Sequence, residues 1–124
     1  MPHFVIECSE SILSLTDPNV LMKDVYSAAE STGLFARNGV GGIKVRIKPY
    51  THYINVDAHL HFIHVFANIM EGRTTEQKKK LSEKVVRAIK TLLPMVEIIS
   101  MNVQDFEKAT YCNAPMIQLG DLSG

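Results

Sequence analysis

The stretch His59-Leu60-His61-Phe62-Ile63-His64-Val65-Phe66-Ala67-Asn68-Ile69-Met70 alternates residue by residue. It predicts a long strand, because successive side chains of a strand point to opposite faces. Ile63, Val65, Ala67 and Ile69 fall on one face; Leu60, Phe62, His64 and Phe66 fall on the other. Helices laid on one side of a sheet need a single apolar face. The second face therefore asks for another cover, and a further copy of the same sheet is the simplest one.

Downstream, Glu71-Gly72-Arg73 is a tight link, and Thr74 and Gln77 have the spacing of a capping box. Leu81, Val85, Ala88, Ile89 and Leu92 form an apolar stripe at helical period, with Lys78, Lys79, Lys80, Lys84, Arg87 and Lys90 on the solvated side. Pro94 marks the end of that helix. Residues 95–104 then read as a strand. Upstream, Ile43, Val45 and Ile47 alternate with Lys44, Arg46 and Lys48, which predicts a strand over 43–48 ahead of an irregular connection at 49–58. Residues 3–8 read as another strand, with Phe4, Ile6 and Cys8 on one face. A polar stretch runs from Ser9 to Thr16. Asp17-Pro18 is a cap followed by proline at the first helical position, and Leu21, Val25, Ala28 and Ala29 supply the stripe. Gly33 suits the left-handed residue that closes a helix, and 35–42 reads as a loop.

The order is thus strand–helix–strand, repeated. A helix between two strands implies a right-handed crossover and parallel pairing within each half. The predicted class is α+β, a duplicated β-α-β unit forming a four-stranded mixed sheet with both helices on one face. An interleaved, ferredoxin-like arrangement fits the same element order.

The chain has 124 residues, which predicts a single domain over 1–124 with a tail from about residue 114. Thirteen Lys+Arg balance thirteen Asp+Glu, which argues against a nucleic-acid coat. With 46% hydrophobic and 21% charged residues, the composition is that of a globular protein and not of a disordered one. No apolar run reaches the ~18 residues of a membrane span, so no membrane partner is expected. Cys8 and Cys112 cannot make a disulfide framework. The opening residues lack a signal peptide's basic start and long apolar core. A cytoplasmic location is the expectation.

Three motifs, in order, resemble the tautomerase superfamily and within it the 5-carboxymethyl-2-hydroxymuconate isomerases: Pro2-His3-Phe4-Val5-Ile6-Glu7-Cys8-Ser9, Gly72-Arg73-Thr74-Thr75-Glu76-Gln77-Lys78, and Val103-Gln104-Asp105-Phe106-Glu107 with Thr110-Tyr111. The resemblance covers roughly residues 2–113. It implies a trimer of duplicated β-α-β subunits. It also implies a cofactor-independent isomerase that ketonises a small acidic 2-hydroxydienoate such as 5-carboxymethyl-2-hydroxymuconate. In that family the initiator methionine is removed and the exposed proline amine is the catalytic base, which assigns Pro2 that role. Arg73 matches the family arginine that grips a substrate carboxylate. A second family arginine falls on Lys44, with Arg46 two residues on and on the same face. Lysine lacks the bidentate fork, so either Lys44 or Arg46 makes that contact. The alternatives kept are another reaction of the same superfamily, of the phenylpyruvate-tautomerase or decarboxylase type, and a non-catalytic trimeric module binding small acids.

The chemistry can be stated independently. An α-amino group has a reference pKa near 8, and burial or nearby cations lower it. A neutral amine near pH 7 can accept a proton and return it. Arg73, just before a helix, sits against the dipole preference, and arginine binds carboxylates bidentately. Phe62 is expected to wall the pocket or to lie in core or interface. His59, His61 and His64 do not share one face, and no metal site is expected of them. Cys8 reads as a buried small hydrophobe. Tyr111 and Asn113 either reach the site as polar contacts or anchor the tail, and the tail is the preferred reading.

Overall fold

The structure is a computed structural model and describes residues 1–36 and 42–120. The expected loop at 35–42 therefore lies largely outside the described residues. Four strands form one sheet: β1 (His3–Ser9), β2 (Lys44–Tyr50), β3 (Ile63–Met70) and β4 (Ile99–Phe106). Two helices, α1 (Pro18–Glu30) and α2 (Thr75–Leu92), join the strands of each half. The spatial order is β2-β1-β3-β4. β1 pairs with β2 and β3 with β4 in parallel, and the two halves meet through the antiparallel pair β1–β3. Parallel pairing within each half is the duplicated β-α-β arrangement; the interleaved alternative is excluded.

The helices begin where capping chemistry puts them. The Asp17 side chain accepts from the Asn19 N–H at 2.8 Å, with Pro18 at the first helical position. Thr74 and Gln77 form the reciprocal box, at 3.1 Å and 2.9 Å. Leu21, Val25 and Ala29 of α1 and Leu81, Val85 and Ile89 of α2 are fully buried. They pack against Phe4, Ile6, Cys8, Ile63, Val65, Ala67 and Ile69, the alternate residues of the two central strands.

Three boundaries differ from the sequence reading. β3 begins at Ile63 and not at 59. Asp57 and Ala58 take left-handed backbone angles (φ 50° and 57°). The Asn55 amide then donates to the carbonyls of His59 and His61, and the Tyr53 hydroxyl donates to that of Leu60. Side chains hold the carbonyls that a strand ladder would use. β4 begins four residues later than expected, because Val96 N–H turns back to Leu93 O and the pairing register starts at Ile63–Ile99. β2 continues through Pro49; as an edge strand it tolerates a residue without an N–H. The register also corrects the expectation of a second apolar face. That face carries Lys44, Arg46 and Lys48 on β2, His3, Val5 and Glu7 on β1, His64, Phe66 and Asn68 on β3, and Ser100, Asn102 and Gln104 on β4. It is mixed, because Leu60 and Phe62 precede the strand.

Candidate active site

Sheet direction decides what can meet. The starts of β1 and β2 lie at the same end of the sheet as the ends of β3 and β4. That end gathers Pro2, Lys44 and Arg46, together with the link from β3 into α2. Gly72 makes the turn with φ 120°, a backbone angle strained for any side chain, and the turn delivers Arg73. One guanidinium nitrogen of Arg73 donates to Met70 O at 3.1 Å and another to Leu34 O at 2.7 Å. Its plane centre lies 5.1 Å from the Phe35 ring, within cation–π range. Phe35 in turn meets Phe4 edge-on, with centroids 6.0 Å apart. Arg73 is therefore fixed from the core side. It lines an open depression of about 410 Å³ with Gly33, Leu34, Glu71, Gly72 and Gln77.

Pro2 is buried, and its carbonyl accepts from the Lys44 N–H at 3.0 Å. While Met1 precedes it, the Pro2 nitrogen is an amide without basicity. The amine at this terminus is held below its ordinary value of 8.0, first by burial, then by the charges of Arg73 and Lys44. Both cations thus act on the start of β1. Arg46 folds back toward the same end: its guanidinium donates to His3 Nδ1 at 3.1 Å. His3 is held below 6.5 by burial, then by Arg46, Lys44 and the terminal amine. The Lys44 ammonium donates to Gly42 O at 3.0 Å.

Phe62 lies elsewhere. Its N–H donates to Ser9 Oγ and its carbonyl accepts from Ser9 N–H, both at 3.1 Å, at the far end of β1. The seven residues of β1, at about 3.3 Å each, separate it from Pro2 by about 20 Å within one protomer. Its ring meets Tyr53 there, centroids 5.2 Å apart.

One residue read as a tail anchor reaches this end instead. The turn Lys108–Thr110 brings Tyr111 back, with its ring 5.3 Å from that of Phe106, and its hydroxyl donates to Met1 Sδ at 3.5 Å. The motif Thr110-Tyr111 marked the residue in sequence, but only the turn shows where it points. The histidines have local duties. His59 lies 3.3 Å from Glu97, His61 Nδ1 is 2.7 Å from Ser11 Oγ, and His64 is 2.6 Å from both Ser100 Oγ and Asn102 Oδ1. Among the described residues no group of three His, Cys, Asp or Glu is placed to hold a metal. Cys8 is fully buried, and burial pushes its thiol up to about 11.

Comparisons with known proteins bear on the family and the fold. The family model described as 5-carboxymethyl-2-hydroxymuconate isomerase matches residues 2–118. The 5-carboxymethyl-2-hydroxymuconate Delta-isomerase of Escherichia coli is 29% identical over 93 residues, covering 73% of this chain and 71% of the relative. A 5-carboxymethyl-2-hydroxymuconate isomerase from Deinococcus radiodurans R1 superimposes with a TM-score of 0.71 at 18% identity, over 91% of this chain and 88% of that one. A fused 4-OT chain, described as a symmetric trimer, gives 0.70 at 18% identity over 90% and 91%. The fold these structures share is the tautomerase fold.

Proposed function

The chain belongs to the 5-carboxymethyl-2-hydroxymuconate isomerase family and is an isomerase, and from that premise we propose that it ketonises a small dicarboxylic 2-hydroxydienoate, such as 5-carboxymethyl-2-hydroxymuconate, with the Pro2 amine as base and acid. The observation that carries this reading is electrostatic. The terminal amine at the start of β1 is held below its ordinary pKa by burial and by Arg73 and Lys44. With Met1 excised, the amine is that of Pro2, a secondary amine beside the same cations. In its neutral form it removes the enol proton and returns it to the far carbon of the conjugated system. No cofactor is needed, because the reaction only relocates a proton.

Arg73 takes one carboxylate with the N–H groups left over from its two backbone bonds. Arg46, turned toward the same end by His3, takes the second, with the Lys44 charge beside it. Phe62 enters this reading only through assembly: lying at the far end of its own sheet, it can wall a neighbouring subunit's site in a homotrimer. The fused 4-OT relative described as a trimer supports that assembly. We assign the protein to the cytoplasm, where thiols such as Cys8 and Cys112 stay reduced. Among the described residues no helix is long and apolar enough to cross a membrane.

The test is a spectrophotometric assay of enol decay, on protein whose intact mass shows Met1 removed. Pro2→Ala is expected to lower kcat/KM by about 10²–10⁴-fold, the usual worth of a positioned base. Equal rates in the two proteins would overturn the proline mechanism.

A further inference from the structure

The Tyr111 hydroxyl has an unusual partner. It donates to a thioether, Met1 Sδ, at 3.5 Å. Thioether sulfur is a weak acceptor, whereas tyrosine hydroxyls withdrawn from water normally find a strong one. The partner also belongs to the residue whose excision exposes the Pro2 amine. Met1 thus spans the space between the phenol, which meets its sulfur, and the two cations that act on its amine. Excision leaves a gap of one residue's length between the Pro2 nitrogen and the Tyr111 hydroxyl, within the field of Arg73 and Lys44. Two residues along, Asn113 Oδ1 is buried with no partner among the described residues.

The walls of that gap differ in charge. The cations match carboxylates, which are charged in substrate and product alike. A phenol hydroxyl is an uncharged hydrogen-bond donor. A neutral donor best suits an oxygen that is itself uncharged in the substrate and becomes charged only during reaction. In the proposed isomerisation the enol O–H bond breaks as Pro2 nitrogen takes the proton. The oxygen's electron pair becomes the C=O π bond, the conjugated double bonds shift by one position, and the terminal carbon forms a C–H bond with the proton that Pro2 returns. Composition is unchanged, and negative charge resides transiently on that oxygen.

We propose that Tyr111 is a substrate-contacting residue of this site, its hydroxyl donating to the enol oxygen of the substrate as that oxygen becomes the dienolate. The proposal rests on the Pro2 reading. Its ring is already seated by Phe106, so the hydroxyl alone can be removed: Tyr111→Phe keeps the 5.3 Å ring contact.

The experiment compares wild type, Tyr111→Phe and Pro2→Ala in the enol-decay assay, with Met1 excision verified by mass and folding by thermal melting. Tyr111→Phe is expected to lower kcat about 10–100-fold, with KM within about threefold and the melting temperature unchanged. A kcat equal to wild type overturns the proposal. So does a raised KM at unchanged kcat, which would put the hydroxyl on a carboxylate. A drop in kcat matched by a large loss of melting temperature also overturns it, as a packing role. If Pro2→Ala equals wild type, the Pro2 reading fails and the proposal fails with it; an impaired Pro2→Ala beside an unimpaired Tyr111→Phe removes the Tyr111 assignment alone.

Discussion

His3 shows how one side chain's protonation state can be set by its neighbours. Its Nδ1 accepts from the Arg46 guanidinium, so the ring must be neutral for that bond to exist. The groups facing it are Lys44 and Arg46 from β2, the terminal amine, and the neutral Asn68 across from it on β3. Burial and these cations lower its pKa below 6.5. Below pH 6.5 the unfolded chain therefore binds more protons at this position than the folded one, and stability falls as pH falls. We expect His3→Asn, whose amide oxygen can still accept from Arg46, to lose less melting temperature than wild type between pH 7 and pH 5.5. Equal losses in parallel thermal melts would show that another group sets the acid sensitivity. At this scale the sequence could single out Pro2 and Arg73 as candidates, because both sit in local motifs. The Arg46–His3 pair and the reach of Tyr111 were not legible, since they depend on the β1–β2 register and on the Lys108–Thr110 turn, both tertiary facts.

Elements were more readable than residues. Both helix starts and both buried stripes follow from caps and from 3.6-residue periodicity. The strand starts failed where polar side chains compete for the backbone: Asn55 and Tyr53 hold the carbonyls of 59–61, so alternation alone overextended β3. The α2 cap bears on the site directly, because Thr74 follows Arg73 and fixes where the helix begins. Thr74→Ala removes the acceptor for Gln77 N–H. It is expected to cost about 1 kcal/mol, measured as a lower urea midpoint at unchanged slope. No shift in midpoint would mean that the box adds nothing beyond what water supplies.

For the whole molecule, the zero net charge hides a local imbalance. Lys44, Arg46 and Arg73 gather at one end of the sheet, and the rest of the chain carries a small negative excess. That arrangement suits a small diffusing dianion and gives no broad field for a polyanion. Exposed apolar side chains collect outside the helix–sheet core: Ile54, Val56 and Leu60 before β3, and Met116, Ile117 and Leu119 in the tail. A homotrimer would cover such segments. Sedimentation of the wild type is expected to give three times the protomer mass of 13.9 kDa. Ile54→Asp together with Ile117→Asp is expected to shift that toward the protomer, with its circular dichroism unchanged. A stable wild-type monomer would defeat the assembly. The element order was legible and left two arrangements open; the parallel pairing within each half decided for the duplicated fold. The character of the free sheet face was not, because it depends on where β3 begins.

The two margins of the sheet are unlike. β2, on one side, carries Lys44, Arg46, Lys48 and Pro49; β4, on the other, reads Ile-Ser-Met-Asn-Val-Gln-Asp-Phe, with neither lysine nor proline. Edge lysines and prolines are what keep strands from adding to one another without limit. A protomer alone thus has one guarded border and one open to fibrous growth. With the proposed trimer, folding at high concentration becomes a contest between closing a ring of three and stacking along β4, and whatever seals that border in such an assembly also protects it from aggregation.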